Sequence, residues 1–180
     1  MARKCRVYEK VEDADQIIKE LCEAQPEVLW CVRPNTVAVY GIVNQERNEK
    51  NHVLAKIKSI KGIEKTILQS KSIDTRYVIE IYWSDWNSWS SRQKQWVIFH
   101  ELLHIHPDME RTIKHDCEDF KLVLKTAKTP DWIKADDLPD LTDKNTKLDA
   151  SIMPSNIIKE EGGEEGDEIM KEDEDQETKK

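Results

Sequence analysis

Apolar residues at three- and four-residue intervals alternate along the chain with runs of β-branched and aromatic residues, which predicts a mixture of helices and strands. In DADQIIKELCEAQPEVL, Ile17, Ile18, Leu21 and Cys22 follow an acidic start and the pattern stops at Pro26, so a first helix is expected there. NTVAVYGIV, β-branched and aromatic up to Gly41, reads as a strand. NHVLAKIKSIKGI spaces Val53, Ala55, Ile57 and Ile60 so that either a strand or a short helix fits. TRYVIEIYW is a clearer strand, apolar enough to be buried on most of one side. A Trp-rich turn, SDWNSW, then leads into SSRQKQWVIFHELLHI. There Ser90 and Gln93 have the form of a capping box, and Trp96, Phe99, His100, Leu103 and His104 recur at the spacing of an amphipathic helix that Pro107 closes. RTIKHDCEDFKLVLKTAKTPDW predicts one more helix, opened by His115, with Cys117, Phe120, Val123 and Leu124 as its apolar stripe and Asp116 or Asp119 near its start.

Beyond Trp132 the periodicity ends, and with it the aromatic residues. The expected division is a folded domain over residues 1–135 and an acidic low-complexity tail over 136–180, too polar to offset its ordering entropy and expected to be disordered. Charge follows the same line. Of the net −8 carried by 180 residues, the last thirty hold −7, from four Lys and eleven acidic residues, and the rest is nearly neutral. A near-neutral domain with only one short basic run, KIKSIKGIEK, makes nucleic acid an improbable partner. The four cysteines are scattered, with no C-x-x-C pair, as in a reducing cytoplasm. Neither a signal peptide after the basic N-terminus nor a membrane span is expected.

The chemistry is concentrated in HELLHIH, residues 100–106. Residues four apart on a helix share a face, so His100 and His104 can aim ring nitrogens at one point about 2.0–2.1 Å from each, the geometry of a zinc site. Glu101, next to the first of them, lies beside that point as general base toward a zinc-activated water. A hydrolytic zinc needs a third protein ligand, and His106, His115, Asp116, Glu118 and Asp119 are the candidates. His106, two residues past His104, points away from the shared face. His115 is preferred, with Glu118 the alternative, and whichever does not ligate can hold another ligand in place, as can Asp116 or Asp119.

WNSWSSRQKQWVIFHELLHI, then KHDCEDFKLVL and PDW, resembles the phage metallopeptidase family, whose members share a tryptophan-containing strand exit, H-E-L-x-H on a helix and a later H-D-x-E-[DE]-F. The likeness spans roughly residues 27–132. A more distant similarity is to SprT-like zinc proteases, in which the histidine of a later H-G-x-x-F element is the third ligand; here Asp116 stands for the glycine, and one extra residue separates His115 from Phe120. The resemblance implies an α+β zincin-like domain with a small twisted sheet packed on the active-site helix. It also implies hydrolysis of peptide or protein substrates and a phage or prophage origin, which would place the protein in a bacterial host's cytoplasm. In zincins an edge strand before that helix pairs with extended substrate, and RYVIEIYW is the candidate for it.

Trp83, Trp86, Trp89 and Trp96 cluster at the entry to the HELLH helix and are read as packing at that junction, with Trp86 or Trp89 lining a substrate cleft as the other reading. Cys117 is read as a small core residue. The leading functional expectation is a zinc metallopeptidase. The alternative, from another class, is a non-catalytic zinc-bound phage protein acting as a partner-binding module, against which the intact Glu101 speaks.

Overall fold

The computed structural model describes residues 5–47, 53–115 and 119–153. They form an α+β fold in which one mixed four-stranded sheet packs against helices. Strands β1 (Tyr8–Lys10), β2 (Val37–Ile42), β3 (Ala55–Ser59) and β4 (Tyr77–Tyr82) lie in the order β1-β2-β4-β3. β1 runs antiparallel to β2, β2 parallel to β4, and β3 antiparallel to β4, with Ile57 opposite Ile79. Tyr77, Ile79 and Ile81 of β4, with Val37 and Val39 of β2 and Ala55 and Ile57 of β3, supply the sheet's share of the core.

Onto that face pack α1 (Glu12–Ala24), through Ala14, Ile18 and Leu21, and α4 (Ser91–Leu103). The capping box that opens α4 is formed as expected: Ser90 Oγ accepts from the Gln93 amide at 3.3 Å, and Gln93 Oε1 accepts from the Ser90 amide at 2.8 Å. The expectation of an amphipathic helix is corrected, because Gln95–Phe99 and Glu101–Leu103 are all buried and α4 is enclosed nearly all round. The sheet and α1 cover part of it, and the chain after α5 (Lys121–Ala127) covers the rest, with the Trp96 indole donating to the Pro139 carbonyl at 2.9 Å and Arg92 to that of Leu138. That wrapping also extends the packed chain beyond residue 135, since Leu138, Leu141 and Met153 are buried in the same core. The remainder of the expected tail, from residue 154, lies outside the described residues.

Other elements depart from the sequence reading. The ambiguous segment is strand β3 followed by α2 (Gly62–Ser70), and SDWNSW is a short helix, α3 (Trp83–Ser88), rather than a turn. Trp83 turns back over Gly41, where a Cβ would lie 2.2 Å from Cε3 of the indole, so only glycine lets the ring close on the sheet. Trp86 and Trp96 are buried, Trp86 stacking edge-on against Trp89, so these two indoles pack the strand-to-helix junction. β4 lies between β2 and β3, so RYVIEIYW is an interior strand with both edges paired, and the outer strand on that side is β3.

Candidate metal centre

His100 and His104 stand one turn apart at the C-terminal end of α4, His104 being the residue that caps it. From there the chain reverses. His106 donates its amide to the Arg111 carbonyl at 3.1 Å, Ile105 bridges to Thr112, and the Ile113 amide donates back to the His104 carbonyl at 2.8 Å. Pro107 starts this turn, Met109 takes a left-handed backbone conformation within it (φ 58°), and the buried Tyr77 hydroxyl pins it by donating to the Arg111 carbonyl at 3.1 Å. The returning strand-like segment carries His115 back over the end of α4. His115 therefore comes from an extended segment and does not open a helix; α5 begins only at Lys121. A hairpin return explains the geometry, since residues 113 and 115 point to the same side of an extended chain.

The three imidazoles converge. His115 Nε2 lies 3.0 Å from His100 Nε2 and 3.1 Å from His104 Nε2. A tetrahedral zinc with bonds of about 2.0–2.1 Å would separate its nitrogens by about 3.3 Å. Both distances from His115 are within a few tenths of an ångström of that, and the three ligand atoms all lie within 4.8 Å of one another. Phe120, buried, packs its ring beneath all three, at centroid distances of 5.5, 4.7 and 5.0 Å from His100, His104 and His115.

The far sides of two rings each face an oxygen. His104 Nδ1 meets the Ile113 carbonyl at 2.6 Å, a contact that requires the proton on Nδ1 and leaves the Nε2 lone pair facing the other rings. His100 Nδ1 faces Asp119 Oδ1 at 3.0 Å. One ring thus has a backbone carbonyl behind it and the other a carboxylate, the two partners that most often orient metal-bound histidines. Burial pushes His104 down to about 4, the Ile113 contact acting the other way and the neighbouring His100 and His115 adding to the fall, so the ring is neutral at pH 7. Burial acts to raise Asp119, but its contacts with His100, Trp132 and the Phe120 amide outweigh that and hold the carboxyl below its usual range.

Glu101 is only 5% exposed. Its Oε2 accepts from the backbone amide of Ile57 on β3 at 2.8 Å, which ties α4 to the outer strand of the sheet. Burial pushes the Glu101 carboxyl up, opposed by the charge of His100 and the Ile57 amide. Of the other candidate ligands, the two that are described, His106 and Asp119, do not join the three rings. His106 pairs with Asp108 at 3.1 Å and with the Arg111 guanidinium at the turn, away from the three rings. Asp119 supports His100, and Asp116, Cys117 and Glu118, the alternative third ligand, lie outside the described residues. Sequence reasoning did not single out Ile57 or Trp132, whose indole reaches Asp119 at 2.8 Å; neither carries a side chain that advertises metal chemistry.

Among the described residues no helix is long and apolar enough to cross a membrane. No curated protein and no solved structure matches the chain. The family described as "Putative phage metallopeptidase" does match, over residues 6–144, a span that takes in the whole sheet, the HELLH helix, the return to His115 and the Asp119–Trp132 contact, and the chain belongs to that family.

Proposed function

We propose that the protein is a zinc-dependent metallopeptidase in which His100, His104 and His115 hold the ion through Nε2 and Glu101 is the general base. The observation that carries this reading is the convergence of three ring nitrogens, His115 Nε2 lying 3.0–3.1 Å from those of His100 and His104, with the buried carboxylate of Glu101 on the helix that carries His100. Bound there, zinc supplies Lewis acidity, which acidifies a water and polarises the scissile carbonyl.

The chain's own residues do the rest. The Ile57 amide fixes Oε2 of Glu101, which leaves Oε1 to take the proton of the attacking water and pass it to the leaving amine. A burial-raised carboxyl suits that task, because it holds the proton long enough to deliver it. Ile113 and Asp119 keep two of the three imidazoles in the tautomer that presents Nε2. The substrate is a peptide or protein, and β3, the outer strand whose Ile57 amide touches the base, is the edge along which an extended segment would lie. The site of action we assign is the cytoplasm of a phage's bacterial host.

The test is to incubate zinc-loaded protein with a diverse peptide library and read new termini by mass spectrometry, beside Glu101→Gln. Cleavage by the wild type that falls about 10²–10⁴-fold in Glu101→Gln, with zinc retained, is the expected result. Undiminished cleavage by Glu101→Gln, or no new termini from any zinc-loaded sample, would contradict the reading.

A further inference from the structure

Trp132 sits on a short 3-10 turn after α5, 5% exposed, more than thirty residues along the chain from the ring it faces. Its indole packs against two rings: the His100 imidazole at a centroid distance of 5.9 Å and 31° between planes, and the Trp96 indole at 6.0 Å and 37°. Trp96 is itself anchored through the Pro139 carbonyl, so the stack has a fixed base. From that position Trp132 Nε1–H donates to Asp119 Oδ2 at 2.8 Å, while Asp119 Oδ1 accepts from the Phe120 amide at 2.6 Å and faces His100 Nδ1 at 3.0 Å.

The donor inventory makes this a directed chain. An indole nitrogen can only donate, so Asp119 must accept on Oδ2, as a carboxylate does. With a backbone amide also on Oδ1, the carboxylate's plane is fixed from two sides. A fixed carboxylate facing Nδ1 selects the imidazole tautomer with the proton on Nδ1, and the lone pair of His100 is then on Nε2, which meets His115 Nε2 at 3.0 Å.

Resting on the metal reading above, we propose that Trp132 is a positioning residue of the metal centre: by clamping Asp119 through its indole N–H and bracing the His100 ring with its face, it holds His100 ready to ligate zinc. The clamp on Asp119 is distinct from core filling, because it depends on one hydrogen atom of the side chain.

Three variants test this: Trp132→Phe, Asp119→Asn and the double substitution. Zinc affinity is measured by competition with a chromophoric chelator, and the His100 tautomer by ring ¹⁵N chemical shifts of zinc-free protein. Trp132→Phe should weaken zinc binding about tenfold, Asp119→Asn by at least as much, and the double variant no more than Asp119→Asn alone, since the two act through one path. In zinc-free Trp132→Phe, His100 should change from a single Nδ1–H tautomer to a mixture. If the phenyl ring leaves the protein unfolded, benzothienylalanine at position 132, which keeps the bicyclic shape and removes only the N–H, gives the same readout.

Wild-type affinity and an unchanged tautomer in the Trp132 variant, or losses that multiply in the double variant, would overturn the inference while leaving the metal reading intact. A folded wild type that binds no zinc would overturn the metal reading and this inference with it.

Discussion

Helices α4 and α2 sit on opposite faces of the same sheet and have opposite fates. α4 buries eight of its residues, including Glu101, and is capped by a reciprocal hydrogen-bond pair. α2 buries none, leaves Ile63 75% exposed, has no side-chain cap, and meets the sheet through Ile67 and Leu68 beside Val78. Both carry apolar residues at helical spacing, and the unbroken apolar run Trp96–Phe99 of α4 marks the difference between them but does not explain it. Enclosure does: α4 is surrounded by the sheet, α1 and the C-terminal wrapping, and that is where two imidazoles and a carboxylate can be held without freedom to rearrange. A site that must present nitrogens to within a few tenths of an ångström belongs on the over-determined helix.

The sharpest way to test this contrast is to truncate each helix. Trp96→Ala on α4 should cost about 3–5 kcal/mol of unfolding free energy, and Ile63→Ala on α2 no more than about 0.5 kcal/mol, read by denaturant unfolding of zinc-free protein. Equal effects would mean that the two helices are not differently embedded.

Acid gives the next largest effect. His104 is pushed down to about 4 in the fold and titrates near 6.5 when unfolded, so between these values the unfolded chain takes up the proton and the folded one does not. Zinc-free protein should therefore lose stability as pH falls from about 6.5 to 4, by on the order of 2–3 kcal/mol from this group. A flat profile, or one unchanged in His104→Gln, would deny the burial of that ring. The cap comes after these: Ser90→Ala should cost about 1 kcal/mol, detectable as a lowered melting temperature.

What could be read in the sequence divides along the same line between local and non-local. The i, i+4 spacing of His100 and His104, Glu101 between them, and the Ser90–Gln93 cap are local facts of a helix, and each has its position in the structure for that reason. β2 and β4 were legible from composition, but the place of β4 was not. Sheet order depends on pairing between distant segments, and β3 takes the edge that RYVIEIYW was expected to hold. β1 is three exposed residues with no apolar pattern to announce it. The expected helix around His115 fails because the hairpin from Ile105 to Ile113 dictates extended backbone there, and its pinning by Tyr77 comes from a strand some thirty residues earlier. The same distance hides the Ile57 amide behind Glu101 and the Trp132 indole behind Asp119.

The claim on which everything else depends is that three histidines form one metal site, and zinc titration of metal-free protein tests it most directly. One equivalent should bind to the wild type and to His106→Ala, with binding lost in His100→Ala, His104→Ala and His115→Ala. A folded wild type that takes up no zinc, or a site that survives His115→Ala and fails in His106→Ala, would contradict it.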